Sequence, residues 1–313
     1  MIIVDAHCDT ITTIMETGEL LRDNKGHIDL KRLKQYDSFV QFFAAFISPT
    51  HAKMGALCRA IDIIDRLYKE IEINKDDISL CRNYNDIIST TEAHKIAAIL
   101  TIEGGDALEG SLSALRMLYE LGVRAITLTW NYRNQIADGV ADAITGGGLT
   151  PFGRNVVAEM NRLGMMVDVS HLSETGFWDV IGISSAPIIA SHSNAKKICN
   201  HRRNLTNEQL MALMENGGVT GINLCPDFIC SDGKASMKHV IDHIEYIVAL
   251  TGEDTIGLGA DYDGIDTTPE GLEGVQCINN LLNELLKLNY SETLVNKIAG
   301  QNFLRVIKKV LTN

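Results

Sequence analysis

Eight short apolar runs, each followed by a segment of helical periodicity, predict an α/β fold: a (β/α)8, or TIM, barrel filling residues 1–313 as one domain. Three observations carry this expectation. The runs are nearly continuous in Val, Ile and Ala, as parallel strands covered on the outside by helices are. Strand and helix signals alternate from one end of the chain to the other. Neither GxGxxG after the first run nor GxxxxGK[ST] anywhere is present, which weakens the alternative, a doubly wound open sheet that binds nucleotides.

The runs are IIVDAHCD (2–9), FVQFFAAFI (39–47), IAAILTIEG (96–104), VRAITLTW (123–130), MMVDVSH (165–171), PIIASHS (187–193), VTGINL (219–224) and TIGLGADYDG (255–264). Between them, 52–73 places apolar residues at three- and four-residue steps, as a helix face requires. The segment 111–122 ends in Gly, and 150–164 opens with Thr-Pro and closes with Gly, a start and stop pair. Segments 173–182, 205–218, 236–252 and 291–311 follow the same plan. The polar stretch 74–92 reads as an excursion after the second strand.

Composition narrows the function. With 28 basic against 40 acidic residues the net charge is −12, which argues against nucleic acid or an anionic membrane as the main partner. No run approaches the ~18 uninterrupted apolar residues of a membrane span. The seven cysteines are odd in number and scattered without CxxC, so reduced thiols in a cytoplasm are expected. The start, MIIVDAHCDT, lacks the basic and apolar regions of a signal peptide. A homodimer is the commonest closed assembly, and the sequence does not choose among oligomeric states.

The carboxyl ends of barrel strands carry the active site, so the residues closing each run are the candidates. They are His7 and Asp9, Glu103, His171, His192 and Asp261. Alternation puts His7 and Asp9 on one face of the first strand, with Asp5 below them as support. A lone His is more often structural than a ligand, but three of nine histidines close three separate runs. Imidazole and carboxylate are ligands for a zinc-type ion. Five ligands exceed the three protein ligands of one catalytic zinc and suit two ions about 3.5–4 Å apart, with Glu103 bridging. The expected cofactors are therefore two Zn2+ ions, with Co2+ or Mn2+ compatible with the same ligands, and the expected reaction is hydrolysis.

Asp261 need not ligate: it can move a proton between nucleophile and leaving group, or else be a sixth ligand or a partner to a histidine. Asp263 reads as a turn residue of the Asp-Gly type. A guanidinium of the Arg202-Arg203 pair that follows the sixth run could clamp a substrate carboxylate. Trp130 and Asn131 close the fourth run as pocket lining, Trp130 alternatively as barrel packing. Cys225 and Cys230 read as buried free thiols. His27, His51, His94 and His201 are read as structural. His239 and His243, spaced i, i+4 without HExxH, are read as a solvated helix face.

Taken in order, DAHCDT, TIEGGDAL, LTWNYRNQIADG, GLTPFGRNVVAEMNRLGMMVDVSH, SHSNA, HRRNL, GADYDG and GQNFLRV resemble the membrane (renal) dipeptidase family of zinc peptidases, from about residue 2 to residue 307. The resemblance implies a two-zinc (β/α)8 barrel that hydrolyses dipeptides by attack of metal-bound hydroxide. It implies that His7 and Asp9 hold one zinc, His171 and His192 the other, and that Glu103 bridges. Asp261 matches the family's catalytic acid/base and Arg203 the arginine that recognises the C-terminal carboxylate. Family members often accept a D-residue at the C-terminal position. Many relatives carry His where this chain has Trp130, a residue thought to steady the oxyanion; Asn131 or a zinc is left to take that place. Animal members are secreted and lipid-anchored, whereas no signal peptide or hydrophobic tail is seen here. The nearest rival activity is a dinuclear barrel amidohydrolase acting on N-acyl amino acids, lactones or cyclic amides. A rival of another class is a silent zinc-binding scaffold.

Overall fold

The computed structural model describes residues 1–312. Its strands are β1 (Ile3–Cys8), β2 (Phe39–Phe46), β3 (Ile78–Leu80), β4 (Ile96–Glu103), β5 (Val123–Thr127), β6 (Met166–Asp168), β7 (Ile189–Ala190), β8 (Val219–Ile222) and β9 (Ile256–Leu258). All pair in parallel. The β2–β4 pairing closes eight of them into a barrel, β1-β2-β4-β5-β6-β7-β8-β9. The eight runs read from the sequence are these eight strands.

β3 lies outside the ring and pairs only with Ile96–Ala98 at the start of β4. The stretch 74–92 is therefore a short strand followed by the helix Tyr84–Glu92, whose first turn is capped by Asn83. Its polarity hid this structure because only one face of each element is covered.

Several helices start where a short polar side chain accepts from an exposed backbone N–H group. Thr150 accepts from Gly153 N ahead of Pro151–Leu163, which ends on Gly164 in the left-handed region. Thr206 and Gln209 form a reciprocal box at Asn207–Glu215. The segment 52–73 is interrupted: a turn at Pro49–Ala52 and Gly55 at φ 81° precede the helix Ala56–Ile73.

The last helix, Asn302–Val310, sets Phe303, Leu304, Val306, Ile307 and Val310 into one cluster with Val4, Val40, Phe42, Ala97 and Ile99. Apolar packing thus fills the barrel beside the early residues of the strands and leaves the carboxyl ends to polar groups. At that end the backbones crowd. A Cβ on Gly259 would lie 1.8 Å from Ser191 O, and one on Gly221 would lie 2.1 Å from it. Only glycine lets β8 and β9 approach Ser191 this closely. The register between β1 and β2 slips by one residue between Asp5 and Cys8. Such a bulge re-aims side chains, and here the interval contains the first candidate ligand, His7. Among the described residues, no helix is long and apolar enough to cross a membrane.

Candidate metal centre and active site

His7 stands at the end of β1 and Asp9 just past it, while Glu103 is the last residue of β4. His171 and His192 lie beyond the ends of β6 and β7, and Asp261 beyond β9. His171 and Asp261 hold φ of 65° and 63°. Strand alternation therefore does not aim these two side chains; turns in a strained conformation do.

The six side chains meet. Glu103 Oε2 lies 3.6 Å from His7 Nε2, and Glu103 Oε1 lies 2.9 Å from His171 Nε2 and 3.6 Å from His192 Nε2. One carboxylate thus turns one oxygen toward each side. His7 Nε2 is 3.5 Å from Asp9 Oδ2 and 3.7 Å from Asp261 Oδ1. Three groups of ligand atoms lie within 4.8 Å of one another: His7, Asp9 and Glu103; Glu103, His171 and His192; His7, His192 and Asp261.

Several potential ligand atoms here are left without hydrogen-bond partners. His7 Nε2 and Asp9 Oδ1 are buried with no hydrogen bond. His171 Nε2 and His192 Nε2 face each other at 2.9 Å. The far nitrogens are occupied: His171 Nδ1 meets Asn131 Oδ1 at 2.8 Å, and His192 Nδ1 meets Ser191 Oγ at 2.7 Å. With protons on both Nδ1 atoms, two lone pairs converge on one carboxylate oxygen. That arrangement is repulsive alone and suits a cation bound by neutral imidazole and carboxylate. The residues present fit a metal.

A cavity of about 540 Å3 opens over the cluster. Asp9, Glu103, Trp130, Asn131, His171 and Asp261 line it, as do Phe46, Arg59, Cys225 and Phe228. The size suits a small molecule. Trp130 packs 5.6 Å from Phe46 and 6.0 Å from the His171 ring, so it is wall rather than barrel filling. Arg203 is set back. Its side chain is buried, its Nη2 donates to His192 O at 3.1 Å, and its Nε has no partner. It lines a smaller cavity of about 90 Å3 that shares His171 with the large one.

Known proteins resemble this chain in sequence and in fold. The sequence profile of membrane dipeptidase (peptidase family M19) covers residues 1–313. The chain belongs to the membrane dipeptidase family. Dipeptidase tcpJ of Claviceps purpurea (strain 20.1) is 34% identical over 302 residues, covering 92% of this chain and 70% of that protein. Dipeptidase 3 of Homo sapiens is 32% identical over 332 residues, covering 98% of this chain and 65% of that protein. Among solved structures, the metallopeptidase dipeptidase AC superposes with a TM-score of 0.93 at 29% identity, covering 100% of this chain and 99% of that one. A metallopeptidase from Rhodobacter sphaeroides, liganded with a phosphinate mimic of L-Ala-D-Ala, gives 0.91 at 29% identity, covering 99% of each chain. The fold is the metallopeptidase barrel, and the chain is a metallo-dipeptidase of this family, a hydrolase.

Burial and charge divide the dipeptidase's cluster. His171 is lowered to about 4 by burial and by the Arg203 charge, and His192 is pushed well below 6.5 by burial and His7. Both are neutral at pH 7. Burial would lower His7 too, but Glu103 and Asp9 outweigh it and hold the imidazolium well above 6.5. Glu103 is held far below the usual carboxylate range because His7, His171 and His192 outweigh its burial. Asp9 is raised to about 6 by burial and Glu103. Asp261 is raised to about 7, chiefly by burial and then by Asp9 and Glu103 against the pull of His7.

Some expectations are corrected in this dipeptidase. Asp5 does not hydrogen-bond the His7 ring. It accepts instead from Gln41 Nε2 at 3.1 Å and Ala260 N at 2.7 Å. His243 is not on a solvated face; it is buried, with Nδ1 accepting from Ala195 N and Nε2 beside Ile229 O. Cys225 and Cys230 are half-buried, and burial pushes the Cys225 thiol up to about 11. Asp263 is more than a turn former: at φ 66°, its carboxylate accepts from Thr10 Oγ1 at 2.6 Å and from His27 N at 2.5 Å.

Other residues escaped the sequence reading. Asn223, one residue past β8, donates to Asp261 Oδ2 at 2.8 Å. The rule of strand ends could have found it. Asp168 could have been suspected as an acid inside an apolar run. Arg59, paired with Glu16 on the cavity wall, had no sequence signal.

Proposed function

We propose that this chain is a dinuclear zinc dipeptidase that accepts dipeptides with a C-terminal D-residue. The observation that carries the reading is the split of Glu103, one carboxylate oxygen toward His7 and Asp9, the other toward His171 and His192. His7, Asp9 and Glu103 would hold one ion and Glu103, His171 and His192 the second. Bound there, such ions bring the pKa of water down to ~7 and polarise a carbonyl.

The chain's own groups do the rest. Asp261, raised to about 7, takes a proton from the attacking water at Oδ1 and returns it to the amine that leaves. Asn223 Nδ2 holds its other oxygen at 2.8 Å, so the carboxylate keeps one orientation through both transfers. Arg203 meets the free α-carboxylate of the dipeptide. Its unpartnered Nε and its burial support a cation waiting for an acceptor. Trp130 and Phe46 close one wall of the cavity and exclude water. Trp130 offers a single N–H in the place where many family members have an imidazole; Asn131 meets His171 through Oδ1 and keeps its Nδ2 donor for the oxyanion. The phosphinate mimic of L-Ala-D-Ala bound by the Rhodobacter sphaeroides relative supports the D-residue preference. The scattered, odd-numbered cysteines support a reducing cytoplasm as the place of work.

The test is a panel of L-L and L-D dipeptides with N-acetylated controls, run on zinc-loaded protein. Cleavage of free dipeptides, faster for L-D, and none of the acetylated controls is expected. Cleavage of acetylated controls alone would move the chain to the N-acyl amidohydrolases.

A further inference from the structure

The two neutral histidines of the cluster are held in different ways. Asn131, a half-buried side chain at the cavity wall, holds His171. His192 is held by a chain of groups that runs down between strands, away from the cavity. Asp168, the last residue of β6, is buried and receives four donors. Ser170 N and Ser191 N reach Oδ1 at 3.0 and 2.9 Å. Thr127 Oγ1 and Ser191 Oγ reach Oδ2 at 2.6 and 2.5 Å.

A hydroxyl has one proton and two lone pairs. Ser191 spends its proton on the Asp168 carboxylate. What it offers His192 Nδ1 at 2.7 Å is a lone pair, so Nδ1 must carry the hydrogen. The ring's Nε2 lone pair then faces Glu103 Oε1 and His171 Nε2. The backbone is fixed as tightly. His192 N donates to Ser170 Oγ at 3.1 Å, and Ser191 O packs so closely on Gly221 and Gly259 that a Cβ on either would lie within 2.1 Å of it.

We infer that Asp168 and Ser191 are positioning residues: through a buried carboxylate–hydroxyl–imidazole relay they lock His192 in its Nδ1–H tautomer and set the metal affinity of the His171/His192 half alone. The inference rests on the dinuclear reading above. No comparable hydrogen-bonded carboxylate relay backs His171. Partners that orient a ligating histidine typically carry 10–100-fold in metal affinity.

The experiment strips the full chain with chelator and titrates Zn2+ back against a competing chromophoric chelator. Wild type, Ser191→Ala and Ser191→Thr are compared. Ser191→Ala is expected to keep one site at wild-type affinity and to weaken the other 10–100-fold. Ser191→Thr, which keeps the hydroxyl, should recover most of that loss. Two sites of unchanged affinity in Ser191→Ala, or equal weakening of both, would overturn the proposal. A second readout needs no variant. Nitrogen-15 NMR of the stripped wild-type chain reports the His192 tautomer. A proton on Nδ1 is expected, and a proton on Nε2 overturns the relay even if Ser191→Ala fails to fold. A wild-type chain that takes up fewer than two ions would count against the dinuclear reading, and the tautomer would still decide the relay.

Discussion

Asp261→Asn separates a proton carrier from a metal ligand. Asp261 lies 3.7 Å from His7 Nε2 and belongs to a third group of potential ligand atoms with His7 and His192. Its carboxylate accepts from Asn223 Nδ2 at 2.8 Å, and an Asn side chain can still accept that bond. The backbone φ of 63° suits Asn better than most residues. Folding and the five proposed metal ligands should therefore survive the change. What is lost is a titratable group at about 7, well placed to exchange protons near neutral pH. General acid–base catalysis contributes ~10²–10⁴ in rate, or about 2.7–5.4 kcal/mol of barrier. The variant should lose that factor in kcat, with KM and metal content near wild type. Steady-state kinetics on a cleaved dipeptide, with metal analysis of the same sample, reads all three. Loss of one ion per chain would show that Asp261 is a ligand. A kcat within about threefold of wild type would refute its role in proton transfer.

Further outcomes follow from the same geometry. Arg203→Lys, which loses the planar fork, should raise KM for free dipeptides about tenfold with a smaller change in kcat; initial rates over a range of substrate concentrations read this. At pH 7, His7 is protonated while His171 and His192 are neutral. Uptake by the His7/Asp9 half should therefore release about one proton, and its affinity should fall about tenfold per pH unit as pH drops below the His7 pKa. Calorimetry in buffers of different ionisation enthalpy measures the release, which should be absent for the other half. Gly259→Ala would drive a Cβ to 1.8 Å from Ser191 O, a backbone atom that cannot swing away. It should cost about 3 kcal/mol in urea unfolding, the upper end for overpacking.

How far the sequence reaches can be judged residue by residue. The apolar runs located all eight barrel strands because strands covered on both faces leave an unbroken hydrophobic signature. Strand ends then named all six residues of the cluster, His7, Asp9, Glu103, His171, His192 and Asp261, which the structure brings together. The direction of side chains was less legible. Alternation holds within a regular strand, but the register of β1 shifts between Asp5 and Cys8, and β6 ends three residues before His171. β3 was missed because it lies outside the barrel and pairs on one edge only. Asn223 and Asp168 act through neighbouring strands, on Asp261 and on Ser191. A contact across strands has no local pattern, and only the folded register reveals it.

The most direct test of the central claim is a zinc titration of the chelator-stripped protein followed by hydrolysis of L-Ala-D-Ala. The account predicts two ions bound per chain and full activity only when the second is in place. Two bound ions with no hydrolysis of any dipeptide, or full activity with one, would contradict it.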